Sequence, residues 1–184
     1  SEHEMTRKSA AYFLGYCKTP QYAERLMPLL EDDKAAGGAA RSLGKWGITN
    51  AVARILPQLN HEKERRRVLA VNALSDIGEP AAIPYFLAAL GDPVFTVRKV
   101  ARGALARHGA DAASAALGVL ENAPPVVQRE IMGLCVDVGY LAATNALAEL
   151  CRHAASPSVK SDAQRCFEAL MPLEPASGSD VPSE

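Results

Sequence analysis

The sequence predicts an all-α protein, a right-handed α-solenoid of about five antiparallel helix pairs. Three observations predict it. Glycines recur in one register at Gly15, Gly47, Gly78, Gly109 and Gly139, at intervals of 32, 31, 31 and 30 residues. An apolar residue stands four places before each of them: Ala11, Leu43, Leu74, Leu105 and Cys135. The composition is 48% hydrophobic but only 5% aromatic, and its many alanines let helices approach closely rather than build a sheet.

Each repeat accounts for its own parts. The glycine ends a helix in a left-handed conformation. Proline then opens the next helix with its φ already set, as in Thr19-Pro20 and Glu79-Pro80. The opposite connection uses a capping residue before proline, Asp92-Pro93 and Ser156-Pro157, with Asn122 and Pro124-Pro125 as a looser version. Within helices the apolar residues recur three and four apart, as in Leu69, Ala70, Ala73, Leu74 and Ile77. These signals place a short helix over about 5–15, then first helices over about 20–31, 50–60, 80–90, 111–121 and 141–154. Second helices fall over about 34–46, 63–77, 94–108, 125–138 and 157–171. One pair cannot bury its apolar face alone, so the pairs stack side by side. Residues 1–171 read as a single repeat domain, and the Pro-, Ser-, Gly- and Asp-containing stretch 172–184 as a disordered tail or linker.

Charge and motifs exclude several function classes. Twenty basic against twenty-one acidic residues leave a net charge of −1, which disfavours a nucleic-acid binder. The cysteines Cys17, Cys135, Cys151 and Cys166 form no C-x-x-C pair and lie in apolar helical patterns, where a thiol behaves as a small hydrophobe. That usage suits a reducing, cytoplasmic setting. No apolar run approaches the roughly 18 residues that span a bilayer, and no signal-peptide pattern opens the chain. Metalloprotease, nucleophile-elbow, Walker and dinucleotide motifs are all missing. No catalytic residue, metal or cofactor is therefore expected.

The segment Asp92-Pro93…Val97-Arg98…Ala101-Arg102…Ala104-Leu105…Gly109 resembles the HEAT repeat, in the short variety typified by phycobilisome lyases. That family's pattern is D-P-x-x-x-V-R-x-x-A-A-x-A-L-G-x-I-G. The match extends to Arg67…Ala70-Val71…Ala73-Leu74-Ser75…Ile77-Gly78 and to Ala39-Ala40…Ser42-Leu43-Gly44…Trp46-Gly47. It is weaker at Val127-Gln128…Gly139, where glutamine replaces the arginine, and at both ends. The resemblance covers roughly residues 10–170 and implies a HEAT-like solenoid with its second helices on a concave face. It implies a non-catalytic protein-interaction scaffold, with a bilin lyase or isomerase subunit as the alternative. His61-Glu62 and His3-Glu4 are similar to the paired motifs of HEAT-like di-iron hydroxylases, but the equivalent places in the other repeats lack them.

Counting back from each glycine, positions −12, −8, −5, −4 and −1 are expected in the core, and −10, −7, −6, −3 and −2 outward. The outward slots nominate Arg41, Lys45, Asn72, Lys99, Arg102, Arg129 and Met132 as contacts for a protein or peptide partner of acidic character. Lys99 and Arg102 both lie on the middle repeat, and no neighbouring repeat has a basic side chain at the slot of Arg102. Reversing both charges is expected to weaken binding without unfolding the protein. Arg67 and Arg98 share position −11 and are expected to tie repeats together through loop carbonyls or an acid such as Asp92. The run Glu62–Arg67 reads as a solvated first turn, and Trp46 as core. Tyr12, Phe13, Tyr16 and Tyr22 either cap the solenoid or extend an interface.

Overall fold

Proline and glycine punctuate the chain into two kinds of helix. The computed structural model describes residues 2–17, 19–32 and 34–171; the tail expected over 172–184 lies outside the described residues. The second helices of the repeats are regular: α1 (Glu2–Leu14), α3 (Ala36–Lys45), α5 (Glu64–Ile77), α7 (Phe95–Arg107), α9 (Pro125–Val138) and α11 (Pro157–Leu170). The first helices alternate with them as α2 (20–30), α4 (49–60), α6 (80–89), α8 (Gly109–Leu117) and α10 (141–153). No strand occurs among the described residues, and no helix there is long and apolar enough to cross a membrane.

The first helices are less regular than the periodicity suggests. In α2 only Ala23–Leu26 is α-helical, between 3-10 turns Pro20–Tyr22 and Met27–Leu30, and in α4 only Val52–Ile55 is. Pro28 and Pro57 fall in the closing turns. Each removes an amide donor and crowds the preceding turn, so the ladder tightens instead of continuing.

The odd-numbered helices stack on one another from α1 to α11, and the even-numbered helices pack against them as a second layer. One cluster of buried side chains runs between the layers from Ala11 to Leu170. Leu43, Leu74, Leu105 and Cys135, the residues four before the repeat glycines, are fully buried. Each such leucine contributes about 1.5–3 kcal/mol by leaving water. Ala39, Ala70, Ala73, Ala101 and Ala104 of the odd helices are buried, and Ala73 meets α3 at Gly44. Their short side chains set how closely those helices approach.

Gly78 and Gly139 close their helices at φ +74° and +67°. At Gly139 the cap is completed by Tyr140 N–H donating to Cys135 C=O over 2.8 Å, the six-to-one bond of a Schellman turn. Gly47 and Gly109 are also left-handed, whereas Gly15 is not. Gly15 shares the register for a different reason. A Cβ there would stand 2.7 Å from Ser42 Oγ, and that buried hydroxyl donates to Ala11 C=O at 2.6 Å. The small residue lets α1 lie close on α3.

Candidate functional site

Arginines in the first turns of α5 and α7 bind the repeats to each other. From that place a guanidinium reaches back over its own entry loop and outward to the next repeat. Arg67 donates to the carbonyls of His61 and Glu62 at 2.9 and 3.0 Å, and grips Asp92 with Nε and Nη2 at 2.6 and 3.0 Å. Asp92 Oδ1 also accepts Val94 N–H at 2.8 Å, which fixes the entry to α7. Burial pushes the Asp92 carboxyl up, but the Arg67 hydrogen bonds, the Val94 amide and the charges of Arg67 and Arg98 outweigh it and hold it below the usual value of 3.8. Arg98 repeats the pattern on the carbonyls of Asp92 and Pro93 and on Glu130 Oε1 at 3.2 Å. Gln128, in the same slot of α9, keeps only one carbonyl bond, to Leu120 at 3.1 Å. These arginines are structural ties, as their position in the repeat suggests.

Two of the nominated contact residues serve the same purpose. Arg102 pairs with Glu130 at 3.2 Å and Asp137 at 3.0 Å, lying over Gly133 of the neighbouring helix. Arg129 pairs with Asp162 at 2.8 Å and donates to Ser158 Oγ at 2.8 Å. Reversing Arg102 would therefore disrupt the seam between α7 and α9, which corrects the expectation that its charge can be changed without structural cost. Met132 is a second correction: only 1% exposed, it is core and not surface. Ala40 and Val71, at the same register position, are buried with it. Each interior odd helix packs against odd neighbours on both sides as well as the even layer. Its buried arc is wider than that of a helix with one partner, and position −7 falls inside it.

The remaining candidates lie on the exposed stripe. Asn72 and Lys99 are exposed, and Lys99 makes no ion pair among the described residues. Arg41 and Lys45 belong to a denser group at the α1 end. The Arg41 guanidinium lies 4.9 Å from the Tyr12 ring centroid and 5.7 Å from that of Tyr16, and donates to Tyr16 Oη at 3.3 Å. Lys45 Nζ stands 3.9 Å from the Tyr16 centroid. The two tyrosines share a 3.1 Å hydrogen bond, and Phe13 meets Tyr12 edge-on. That shared bond lowers the Tyr16 hydroxyl below the ordinary phenol value of 10.0, assisted by the charges of Arg41 and Lys45, and raises that of Tyr12. Phe13 and Tyr16 are 64% and 57% exposed, so the aromatic group does not close off the core. Trp46, half-buried, donates Nε1–H to Cys17 C=O at 2.9 Å and anchors the turn after α1.

Beside this patch a groove of about 640 Å³ runs between α1, α3 and α5. Ser9, Tyr12 and Phe13 line one side, Gly37, Gly38 and Leu69 the floor, and Lys34, Lys63, Arg65 and Arg66 the rest. Among the described residues that line it none is acidic. A second groove of about 700 Å³ opens between α4 and α6, but its Arg67 and Asp92 are already paired to each other. The sequence flagged the tyrosines as a cluster, yet Lys34, Lys63 and Arg65 passed as ordinary helix-entry residues. Only the stacking of α1 on α3 on α5 gathers them.

The family model for HEAT repeats matches residues 31–106, and that for the PBS lyase HEAT-like repeat matches residues 6–32. Residues 6–106 thus carry HEAT-type repeats. No curated protein matches it in sequence. Among solved structures it is similar to the crystal structure of an engineered protein, 19% identical, at a TM-score of 0.56 with 91% of each chain covered. A second engineered protein is 18% identical at 0.51, covering 90% of this chain and 92% of that one. The complex of CpcE and CpcF of phycocyanin lyase from a Nostoc species is 21% identical over 90% of this chain and 89% of that chain, at 0.39. At these identities the two engineered proteins establish the helical fold and nothing further.

Among the described residues no group of three or more His, Cys, Asp and Glu is placed to hold a metal ion. Burial pushes the Cys135 thiol up to about 11 and raises that of Cys166. Both are held as neutral thiols near pH 7, the less nucleophilic form.

Proposed function

We propose that this HEAT-repeat chain is a protein-interaction module without catalytic chemistry of its own, and that it binds an acidic partner across the exposed face of its odd-numbered helices. One observation carries this reading. Tyr12 and Tyr16 stand exposed beneath Arg41 and Lys45, with Phe13 exposed beside Tyr12, while Arg102 and Arg129 of the same face are held in pairs between helices. Aromatic and arginine side chains dominate the energetic centres of protein interfaces because they offer large rigid area together with hydrogen-bond donors. A cation over an aromatic ring is also already ordered, so less side-chain entropy is lost on binding. Asn72 and Lys99 extend the contact along the stack.

The test is affinity capture from source lysate by the wild type and by a Tyr16→Ser/Lys45→Glu double variant. Both substituted residues are exposed, so the melting temperature is expected to change little. An acidic protein held by the wild type and lost by the double variant supports the proposal. Equal retention of that protein by both overturns it.

A further inference from the structure

The two ends of the helix stack differ in chemistry. At one end α11 turns Ser161, Gln164, Arg165 and Glu168 outward, all exposed, and Gln164 donates to Glu168 at 2.6 Å. A polar outer face of that kind closes a stacked array. At the other end α1 turns Thr6, Ala10 and Phe13 outward, with Ser9 at the edge, all of them exposed. Helical spacing sets this stripe away from Ala11 and Gly15, the residues that meet α3. Phe13 is the largest side chain on it, 64% exposed.

The later odd helices use the same slots to receive the helix before them. Nine and five residues before the repeat glycine stand Gly38 and Ser42 in α3, Leu69 and Ala73 in α5, and Glu130 and Leu134 in α9. Gly38 and Ser42 lie against Ala11 of α1, and Leu69 and Ala73 against Gly37 and Gly44 of α3. Glu130 pairs with Arg98 and Arg102 of α7. In α1 these slots hold Thr6 and Ala10, and both are exposed.

We infer that this face of α1 seats α1 of a second copy of the chain, the two helices running antiparallel about a two-fold axis. Ser9 and Ala10 then lie at the centre, against the partner's Ala10 and the partner's Ser9, where small side chains let the helices approach closely. Phe13 falls over the partner's Thr6 at each end, large against small. A parallel pair would set Phe13 against the partner's Phe13 instead. The antiparallel axis also runs perpendicular to the odd layer, so the faces bearing Arg41 and Lys45 stay on one side and continue across both copies. The polar outer face of α11 offers α1 no such seat, so association closes at two copies and does not run on as a filament. One helix face buries less than the roughly 800 Å² per partner of a standard interface, which makes the dimer reversible.

The experiment is sedimentation velocity of the full chain, from low micromolar to the highest soluble concentration. The wild type is expected to pass from the mass of one chain to that of two as concentration rises. Phe13→Glu and Ala10→Arg, both at exposed positions, should melt like the wild type and weaken association about tenfold or more. In a Cys17→Ser background, Ala10→Cys should be joined between copies by a short bis-maleimide, and Gln164→Cys on α11 should not. Amides of α1 should exchange more slowly as concentration rises, and at dilution α1 should behave as an end helix. A monomer at every concentration, a dimer undiminished in both variants, or joining through Gln164→Cys overturns the inference. Tyr16→Ser/Lys45→Glu is expected to dimerise as the wild type does. A dimer with no captured acidic partner would therefore sink the interaction reading alone, and capture by a strict monomer would sink the dimer alone.

Discussion

Asp92 is the side chain on which the most separate ties converge. It holds Arg67 by two hydrogen bonds, fixes the turn into α7 through the Val94 amide, and with its partner is largely shielded, the two side chains being 9% and 11% exposed. Removing one member of such a pair leaves the other charge shielded without compensation, which costs about 3 kcal/mol or more. Asp92→Ala is therefore expected to lose roughly that stability in urea unfolding, and Asp92→Asn less, because the asparagine Oδ1 can still accept the Val94 amide two residues on. The pH dependence has a defined sign. A carboxyl held below its usual value of 3.8 stabilises the fold above that value, and the stabilisation disappears as pH falls through the folded-state value beneath it. Wild-type stability should thus fall below about pH 4 by more than that of Asp92→Asn. Equal acid sensitivity would show that other carboxyls carry the effect. The Arg67–Asp92 tie was legible in the sequence because arginine, acid and proline occupy fixed slots of the repeat. Glu130 was not. It sits within an apolar-patterned helix, and its role depends on two arginines that arrive from α7.

At the scale of the element, three glycines inside helices test how the stack is spaced. Replacing a helical glycine by alanine gains about 1 kcal/mol when nothing opposes the new methyl. Gly103 in α7 has no atom within 4 Å of the site, so Gly103→Ala should stabilise the protein by about that amount. Gly133 in α9 would place its Cβ 2.7 Å from Arg102 Nη1. The arginine must swing away, loosening its bonds to Glu130 and Asp137, and Gly133→Ala should fall below wild type. Gly44 in α3 meets backbone instead, with Ala73 C=O at 2.8 Å and Ala73 Cα at 2.9 Å. No rotamer relieves that contact, so α3 and α5 must separate, and Gly44→Ala should cost about 2 kcal/mol. The ordering Gly103→Ala, wild type, Gly133→Ala, Gly44→Ala in thermal midpoint checks the whole set. Helix boundaries could be read from sequence because glycine and proline act locally. The meaning of an internal glycine could not, since it depends on which helix lies opposite. Likewise Gly15 and Gly47 occupy one register while only Gly47 is left-handed.

Over the whole molecule, the strong contacts run from each odd helix to the next and to its even partners. Stability in such an array is a sum of repeat and nearest-neighbour terms, so it is not distributed evenly. Interior helices α5 and α7 have odd neighbours on both sides, while α1 and α11 have one each. Ion pairs reinforce the later seams: Arg98 and Arg102 join α7 to α9, and Arg129 joins α9 to α11. Among the described residues the α1–α3 seam shows the close approach at Gly15 and Gly38, the Ser42 bond to Ala11 and the pair of Arg7 with Asp32. Hydrogen exchange followed peptide by peptide should show the consequence. Amides of α1 and α3 should exchange faster than those of α5 to α9, and Gly44→Ala, which parts α3 from α5, should raise exchange in α1 and α3 while leaving α9 and α11 near wild type. A uniform rise across every helix in Gly44→Ala would mean that the chain opens as one cooperative unit, and the nearest-neighbour account of its stability would have to be abandoned.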